Sequence, residues 1–216
     1  MDVVAAFARV LCLFVSVATC PSTHSAELLL SAPTLAGTLS ARSWKDLRDD
    51  RIVKQDFDYS CGAASLATIL QSFYGVKITE EELLRAMGKE DAASFADMAG
   101  VLPRFGFKAV GVALEFEQLR QLKIPAMVHL SHRDQDHFSV LRGATGRMVW
   151  LGDPSWGNRK LSYEDFLSMW EKREDGALKG RALLVLPLAP SGTKPDFFGS
   201  PADTSLPIEL LSLRVF

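Results

Sequence analysis

Cysteine is scarce in this chain. Among 216 residues there are three, Cys12, Cys20 and Cys61, too few for a disulfide-dense scaffold or a four-cysteine zinc site. An excess of either charge is missing too. With 24 Lys+Arg against 26 Asp+Glu, the formal net charge is −2, so there is no electrostatic footprint for nucleic acid and no such partner is expected. No internal repeat is visible. No apolar run reaches the roughly 20 residues that cross a bilayer comfortably. What is present is an ordinary globular composition, 48% hydrophobic and 23% charged. That excludes disordered, collagen-like and coiled-coil chains. The length suits one domain with a real core and some added segments.

The longest short apolar run, residues 10–18, follows Arg9 and precedes Pro21-Ser22-Thr23-His24-Ser25-Ala26. It reads as a secretory signal with a small-residue cleavage site near Ser25 or Ala26. The alternatives are a buried N-terminal helix, or lipidation at Cys20, where Thr19 is larger than the residue usual before a lipidated cysteine. The expected product is exported, periplasmic or secreted, with a minor lipid-anchored alternative. Cleavage after Ser25 removes Cys12 and Cys20. Cys61 is then a lone thiol in an oxidising compartment, either a reactive group or a small buried hydrophobe.

Residues 26–50 have little periodicity and read as a lead-in. From residue 61 onward, Ala63, Leu66, Ala67, Leu70 and Tyr74 recur on one helical face, with Ser60 available as N-cap and Gly75 as the stop. Thr79-Glu80-Glu81-Glu82 is a capping box opening a second helix that ends at Gly88. Ser94-Phe95-Ala96-Asp97 opens a third, ending near Phe105. Strands are expected at 107–114, 126–130, 138–141, 148–151 and 182–186, and helices at 116–122 and 162–171. The segments 138–141 and 148–151 flank a turn with Gly143, Thr145 and Gly146, the mark of a hairpin. Helices first and strands later indicate an α+β fold. The proposed division is a signal at 1–25, a lead-in at 26–50, a domain at 51–187 and a Pro-rich tail at 188–216. The tail is expected to be extended or mobile, with Ile208-Glu209-Leu210-Leu211-Ser212-Leu213 docking on the domain or on a partner.

Cys61 opens the best-patterned helix, where unpaired N–H groups and the positive dipole end favour thiolate over thiol. Gly62-Ala63-Ala64 puts little bulk beside the sulfur, leaving room for a substrate backbone. A thiolate nucleophile needs a base, usually His. His137 stands directly before a strand, eight residues before Thr145, and Asp153 stands eight after it. In an antiparallel hairpin centred on Thr145 the two face each other, the relation an orienting carboxylate has with an imidazole. A bulge would shift that register by one. The other reading of Asp153-Pro154 is a plain turn, and spacing alone leaves both open. Gln55, six residues before Cys61, is either an oxyanion donor or a solvated polar residue. The run His129-Leu130-Ser131-His132-Arg133-Asp134-Gln135-Asp136-His137 imitates a metal site. Its spacing matches no helical zinc pair, so His129 and His132 are read as structural or solvent-facing, and no metal or other cofactor is expected. Trp156 and Trp170 are candidate cleft walls, with ordinary core roles as the preferred reading.

Gln55-Asp56-Phe57-Asp58-Tyr59-Ser60-Cys61-Gly62-Ala63-Ala64-Ser65-Leu66, then His137-Phe138-Ser139-Val140-Leu141, then Asp153-Pro154, resembles the C39 family of papain-like cysteine peptidases, the bacteriocin-processing type. The resemblance runs from about residue 52 to about 186. It implies Cys61 as nucleophile, His137 as base, Asp153 as the residue orienting the imidazole and Gln55 as oxyanion donor. It also implies a papain-like α+β fold, with a helical part carrying the cysteine packed on an antiparallel sheet carrying His and Asp. The chain departs from many members at Ser60, where Asp is common. It also shows no multi-span region or phosphate-binding loop after Leu186, so a stand-alone exported member is expected. The expected partners are a peptide or protein substrate and a membrane-associated or export-system component. The rivals are an amidase or transpeptidase with the same triad, and a non-catalytic binding or assembly module on the same fold.

Overall fold

A computed structural model of the protein describes residues 25–32, 35–132, 135–170 and 180–198, with side chains described from residue 43 onward except that of residue 132. The apolar signal run, Cys20 and the 208–213 segment lie outside the described residues. The chain falls into two compact units, residues 1–41 and 42–216. Strands β1 (Ser25–Ala32) and β2 (Leu35–Arg42) form a two-stranded sheet, where the sequence suggested only an aperiodic lead-in.

The second unit begins with α1 (Trp44–Arg48), then α2 (Cys61–Ser72), α3 (Glu80–Met87) and α4 (Phe95–Val101), which continues as a 3₁₀ turn over Leu102–Phe105. After it come β3 (Phe107–Ala113), α5 (Phe116–Leu119), β4 (Ala126–His132), β5 (Gln135–Ala144), β6 (Met148–Asp153), β7 (Gly157–Ser162), α6 (Tyr163–Trp170) and β8 (Arg181–Pro187). A last 3₁₀ turn spans Pro195–Phe197. The helix starts follow local chemistry. Thr79 Oγ1 accepts from the Glu82 N–H at 3.1 Å while the Glu82 carboxylate accepts from the Thr79 N–H at 2.7 Å. Ser94 and Asp97 make the same reciprocal pair. Each exchange satisfies N–H groups that a helix start otherwise leaves open. Gly88 ends α3 at φ +66°, in the left-handed region where a side chain is disfavoured.

The six-stranded sheet has the order β3-β8-β4-β5-β6-β7 and every pairing is antiparallel. Alternation along its strands divides two cores. On one face Met127, Val140, Leu183 and Val185 meet Leu66, Leu70, Leu83 and Met98 from α2, α3 and α4. On the other, Val128, Leu130, Leu141 and Leu151 meet Phe116, Phe166 and Trp170 from α5 and α6. Helix α2 is buried along its length from Cys61 to Leu70, which fixes its N-terminus against β5. Gly62 owes its size to that packing, because an added Cβ would stand 3.1 Å from Met98 Sδ and 3.3 Å from a Phe138 ring carbon. The expectation of room for substrate there is replaced by close helix–sheet contact.

Two other features differ from the sequence reading, and a third, the place of Trp170, agrees with its preferred core role. Strand β7 was missed because Gly157-Asn158-Arg159-Lys160-Leu161-Ser162 has one apolar residue, as an edge strand with a solvated side allows. Trp170 belongs to the core and donates its Nε1–H to the Arg181 carbonyl at 3.0 Å. The start of the expected mobile tail is docked: Phe197 is fully buried, and the Lys194 N–H donates to the Phe73 carbonyl at 2.8 Å.

Candidate active site

Cys61 is the first residue of α2 and is 7% exposed. The helix start is unusual in what it omits. Ser60 occupies the N-cap position but makes no side-chain cap bond. Its hydroxyl instead donates to the Phe57 carbonyl at 2.7 Å and accepts from the Phe57 N–H at 3.1 Å. A side-chain cap is worth about 1 kcal/mol. Forgoing it leaves first-turn N–H groups and the positive helix end open to a negative atom at Cys61. Thus Ser60 shapes the loop before the helix, rather than capping it as its sequence position suggested.

His137 lies on β5 and Asp153 ends β6. His137 Nε2 stands 3.1 Å from Asp153 Oδ2. The pair meets, though in a different register from the one expected. The hairpin turn is tighter and lies later in the chain, closing inside the Ala144–Val149 pair, and the ladder shifts between Leu141 and Gly143. Val140 therefore opposes Gly152, which sets Asp153 level with Ser139. His137 reaches it diagonally on the same face. A net displacement of two residues preserves the face, whereas a displacement of one would have reversed it.

Asp153 is completely buried. Its Oδ1 accepts from the N–H groups of Ser155 at 2.9 Å and Trp156 at 3.0 Å, and its Oδ2 also lies 3.4 Å from Arg159 Nη1. Burial works to raise its pKa. The hydrogen bond and charge of His137, with the two backbone donors, outweigh it and hold the carboxyl below the ordinary carboxylate range. At His137 burial works to lower the pKa. Hydrogen bonds and charges at Asp153 and Cys61 outweigh it and raise the imidazole to about 9. With Nε2 engaged by Asp153, Nδ1 is the ring nitrogen left for the sulfur.

Gln55 is tied to this end of the sheet. Its backbone N–H donates to the Pro154 carbonyl at 3.1 Å, and its Oε1 accepts from the Ser155 hydroxyl at 2.6 Å. The carbonyls on the other side of the amide, which can only accept, fix Nε2 there. Nε2 bonds the Phe57 carbonyl at 2.9 Å and has a longer 3.5 Å approach to the Asp58 carbonyl. Gln55, Cys61, His137, Ser155 and Trp156 line one cavity of about 930 Å³, with Leu130 and Met169 as apolar wall. A shallower pocket of about 410 Å³ beside α3 has neither thiol nor imidazole in its lining. Trp156 is 67% exposed at the cavity, in keeping with a cleft wall.

Two contributors escaped the sequence reading. Glu80 is buried, and its carboxylate accepts from the Asp56 N–H at 3.2 Å. Burial pushes its pKa up, partly offset by Ser60 and that N–H. It braces the loop between Gln55 and Cys61, yet in sequence it is one of three glutamates at a helix start. Ser155, which holds the Gln55 amide, looks like any residue of an Asp-Pro turn. The histidine-rich run also resolves. His129 Nδ1 lies 2.8 Å from Arg181 Nη2, and His129 Nε2 lies 3.1 Å from Asp136. Arg133, Asp134 and the side chain of His132 lie outside the described residues. Among the described residues no three His, Cys, Asp or Glu side chains converge on a metal position.

These shifts predict a pH dependence. The folded-state value of His137 lies above its ordinary 6.5. The imidazolium therefore contributes stability that is complete below about 6.5 and is lost as pH rises through about 9. Asp153 acts in the opposite sense, contributing above the ordinary carboxylate range and losing that contribution as pH falls through its lowered value. Thermal melts across pH should show both flanks. Replacing His137 with Ala should flatten the alkaline one.

A model of the peptidase C39 family matches residues 49–173. The "Probable functional amyloid protease FapD" of Pseudomonas aeruginosa is 35% identical over 153 residues, covering 65% of this chain and 68% of that protein. A double glycine motif protease from an AMS/PCAT transporter, solved with its leader peptide, superposes with a TM-score of 0.53 and 26% identity, over 63% of this chain and 90% of that one. The peptidase domain of Streptococcus ComA superposes with a TM-score of 0.54 at 22% identity, over 63% of this chain and 97% of its own, and shows the shared fold.

Proposed function

The chain belongs to the peptidase C39 family and is a cysteine peptidase, and from that premise we propose that it cleaves peptide bonds with Cys61 as nucleophile, His137 as acid and base, Asp153 as the orienting carboxylate and Gln55 as oxyanion donor. The observation that carries this reading is the 3.1 Å contact of His137 with a fully buried Asp153 beside an uncapped helix start that presents Cys61 to the same cavity.

The residues suggest the following sequence of steps. The Cys61 thiol gives its proton to His137, and the thiolate attacks the substrate carbonyl carbon. The tetrahedral oxyanion lies between the Cys61 backbone N–H and Gln55 Nε2. The imidazolium protonates the leaving amine, and water, deprotonated by the same imidazole, releases the acid product from the thioester. Asp153 keeps the imidazole turned with one nitrogen toward the sulfur.

The expected substrate is a peptide or protein segment, in keeping with the leader peptide held by the similar transporter protease. Export into the periplasm or beyond is proposed from the apolar run at residues 10–18, with anchoring at Cys20 as the minor form. An export-system or membrane-associated partner fits the same picture.

A peptide-library cleavage profile tests the reading, alongside labelling with a thiol-directed peptide electrophile. Cleavage with labelling that is lost in His137→Ala is expected. A Cys61 no more reactive than free cysteine, with no cleavage, would sink the proposal in favour of a binding module. Transfer to an added amine in place of hydrolysis would make it a transpeptidase. Gln55→Ala should lower kcat by roughly 10²–10³-fold with little change in KM, because its N–H acts on charge that develops only in the transition state. A parental kcat would remove Gln55 from the mechanism.

A further inference from the structure

The register of the β5–β6 hairpin depends on one residue. Leu141 opposes Leu151 and Gly143 opposes Trp150, so Arg142 drops out of the ladder as a bulge. Continued without that bulge, the ladder that begins at Ala144 and Val149 would set Val140 opposite Asp153. His137, an odd number of places from Val140, would then project from the opposite face of the sheet. With the bulge, Asp153 falls level with Ser139, and His137 shares its face. The pairing at the site therefore rests on a residue that touches neither partner.

Arg142 is held strongly for a residue outside the ladder. It is 3% exposed, and its stem covers Gly152, where an added Cβ would stand 3.5 Å from Arg142 Cδ. The guanidinium donates through Nε to the Phe197 carbonyl at 3.1 Å and through Nη1 to Asn158 Oδ1 at 2.5 Å. Its Cζ stands 5.0 Å from the centre of the Phe197 ring. Asn158 is fixed in turn by donating to the Asp50 carbonyl at 3.0 Å. Arg51 lies 5.6 Å from the same phenyl ring and pairs with Asp196 at 2.9 Å. Phe197 lies 55 residues beyond the bulge and outside the stretch matched by the family model. A buried guanidinium that lost these acceptors would carry the cost of an unsatisfied charge, so the seat stabilises the bulge against the regular ladder.

We propose that Arg142 is a positioning residue for the site, held by Phe197 and Asn158, and that the segment after β8 is a working part of the peptidase because it seats this bulge. The catalytic consequence rests on the peptidase reading above; the geometric one rests only on the meeting of His137 and Asp153.

The test uses full-length Arg142→Val, Phe197→Ala and Phe197→Tyr, with each variant's fold checked by circular dichroism. Kinetics on a cleaved peptide are paired with an NMR titration of the His137 imidazole, which needs no substrate. In folded Arg142→Val, kcat should fall roughly 100-fold with KM nearly unchanged, and His137 should titrate well below its parental value, towards 6.5. Phe197→Ala should move both readouts the same way. Phe197→Tyr, which keeps the ring that alanine removes, should leave both near the parental values. If valine does not fold, Arg142→Lys, which keeps the stem but not the fork, should show the same shifts in smaller measure. Folded variants that melt earlier but keep the parental His137 titration and kcat would overturn the proposal. An imidazole that responds to Arg142 in a protein that cleaves no peptide would sustain it and defeat the peptidase reading instead.

Discussion

Replacing Cys61 with alanine is expected to lower kcat by about 10⁴-fold or more while the protein stays folded. In the proposed mechanism the sulfur supplies the bond that makes the acyl intermediate, and no neighbouring side chain in the cavity would replace it. Gln55, Ser155 and His137 share that cavity, but none combines a polarizable sulfur with the open N–H groups of the α2 start. What remains in the variant is transition-state binding by the oxyanion donors. Stability should change little, because the substitution removes one atom from a position already lined by a cavity. Initial rates on a peptide substrate, with a melting curve of the same preparation, make the measurement. Cleavage by the alanine variant within tenfold of the parent would assign the nucleophile elsewhere.

The second large effect is expected for Asp153→Asn, roughly 10⁴-fold in kcat with shape conserved. Asp153 Oδ1 faces two backbone donors, Ser155 N–H and Trp156 N–H. An asparagine would keep its carbonyl there and turn its NH₂ toward His137 Nε2 and Arg159. Nε2 would then have to accept, so the ring proton would sit on Nδ1, the nitrogen left for the sulfur. The imidazole would face the thiol in the tautomer that cannot take its proton. The same change removes the buried negative charge that helps hold His137 at about 9, and His137 should titrate lower in the variant. Kinetics together with an NMR titration of His137 would read both effects. A parental rate with an unshifted imidazole would show that the carboxylate is a turn residue only, the plainer reading of Asp153-Pro154.

What was legible in the sequence was local. The capping boxes at Thr79 and Ser94 and the stop at Gly88 could be read because their partners lie three residues away or less, or because one backbone angle demands glycine. The helix carrying Cys61 was legible from its apolar spacing, and the change from helices to strands from the change of period. The His137–Asp153 meeting was reached through a register two places off. The place of the turn, later than Thr145, and the Arg142 bulge each moved the ladder, and only their combination kept the face. The bulge could not be read, because what stabilises it is Phe197, in a stretch whose prolines suggested a tail. Glu80 escaped for a similar reason: its burial depends on the Gln55–Ser60 loop folding back over α3. Strand β7 has the composition of a loop, and its pairing with β6 supplies the order its sequence lacks.

The candidate site is divided between α2 and the β5–β6 hairpin, and α2 is stitched to β5 by the Ser65 hydroxyl on the Phe138 carbonyl, 73 residues away. A contact so distant along the chain closes a large loop, an entropic cost that helices and turns do not carry, and is expected to form after them. A chain growing from its N-terminus therefore presents Cys61 well before His137. Proteolytic competence would arrive in one step with the docking of the two halves, and its onset would report the last stage of folding. The enzyme would in this way carry a delay set by chain topology.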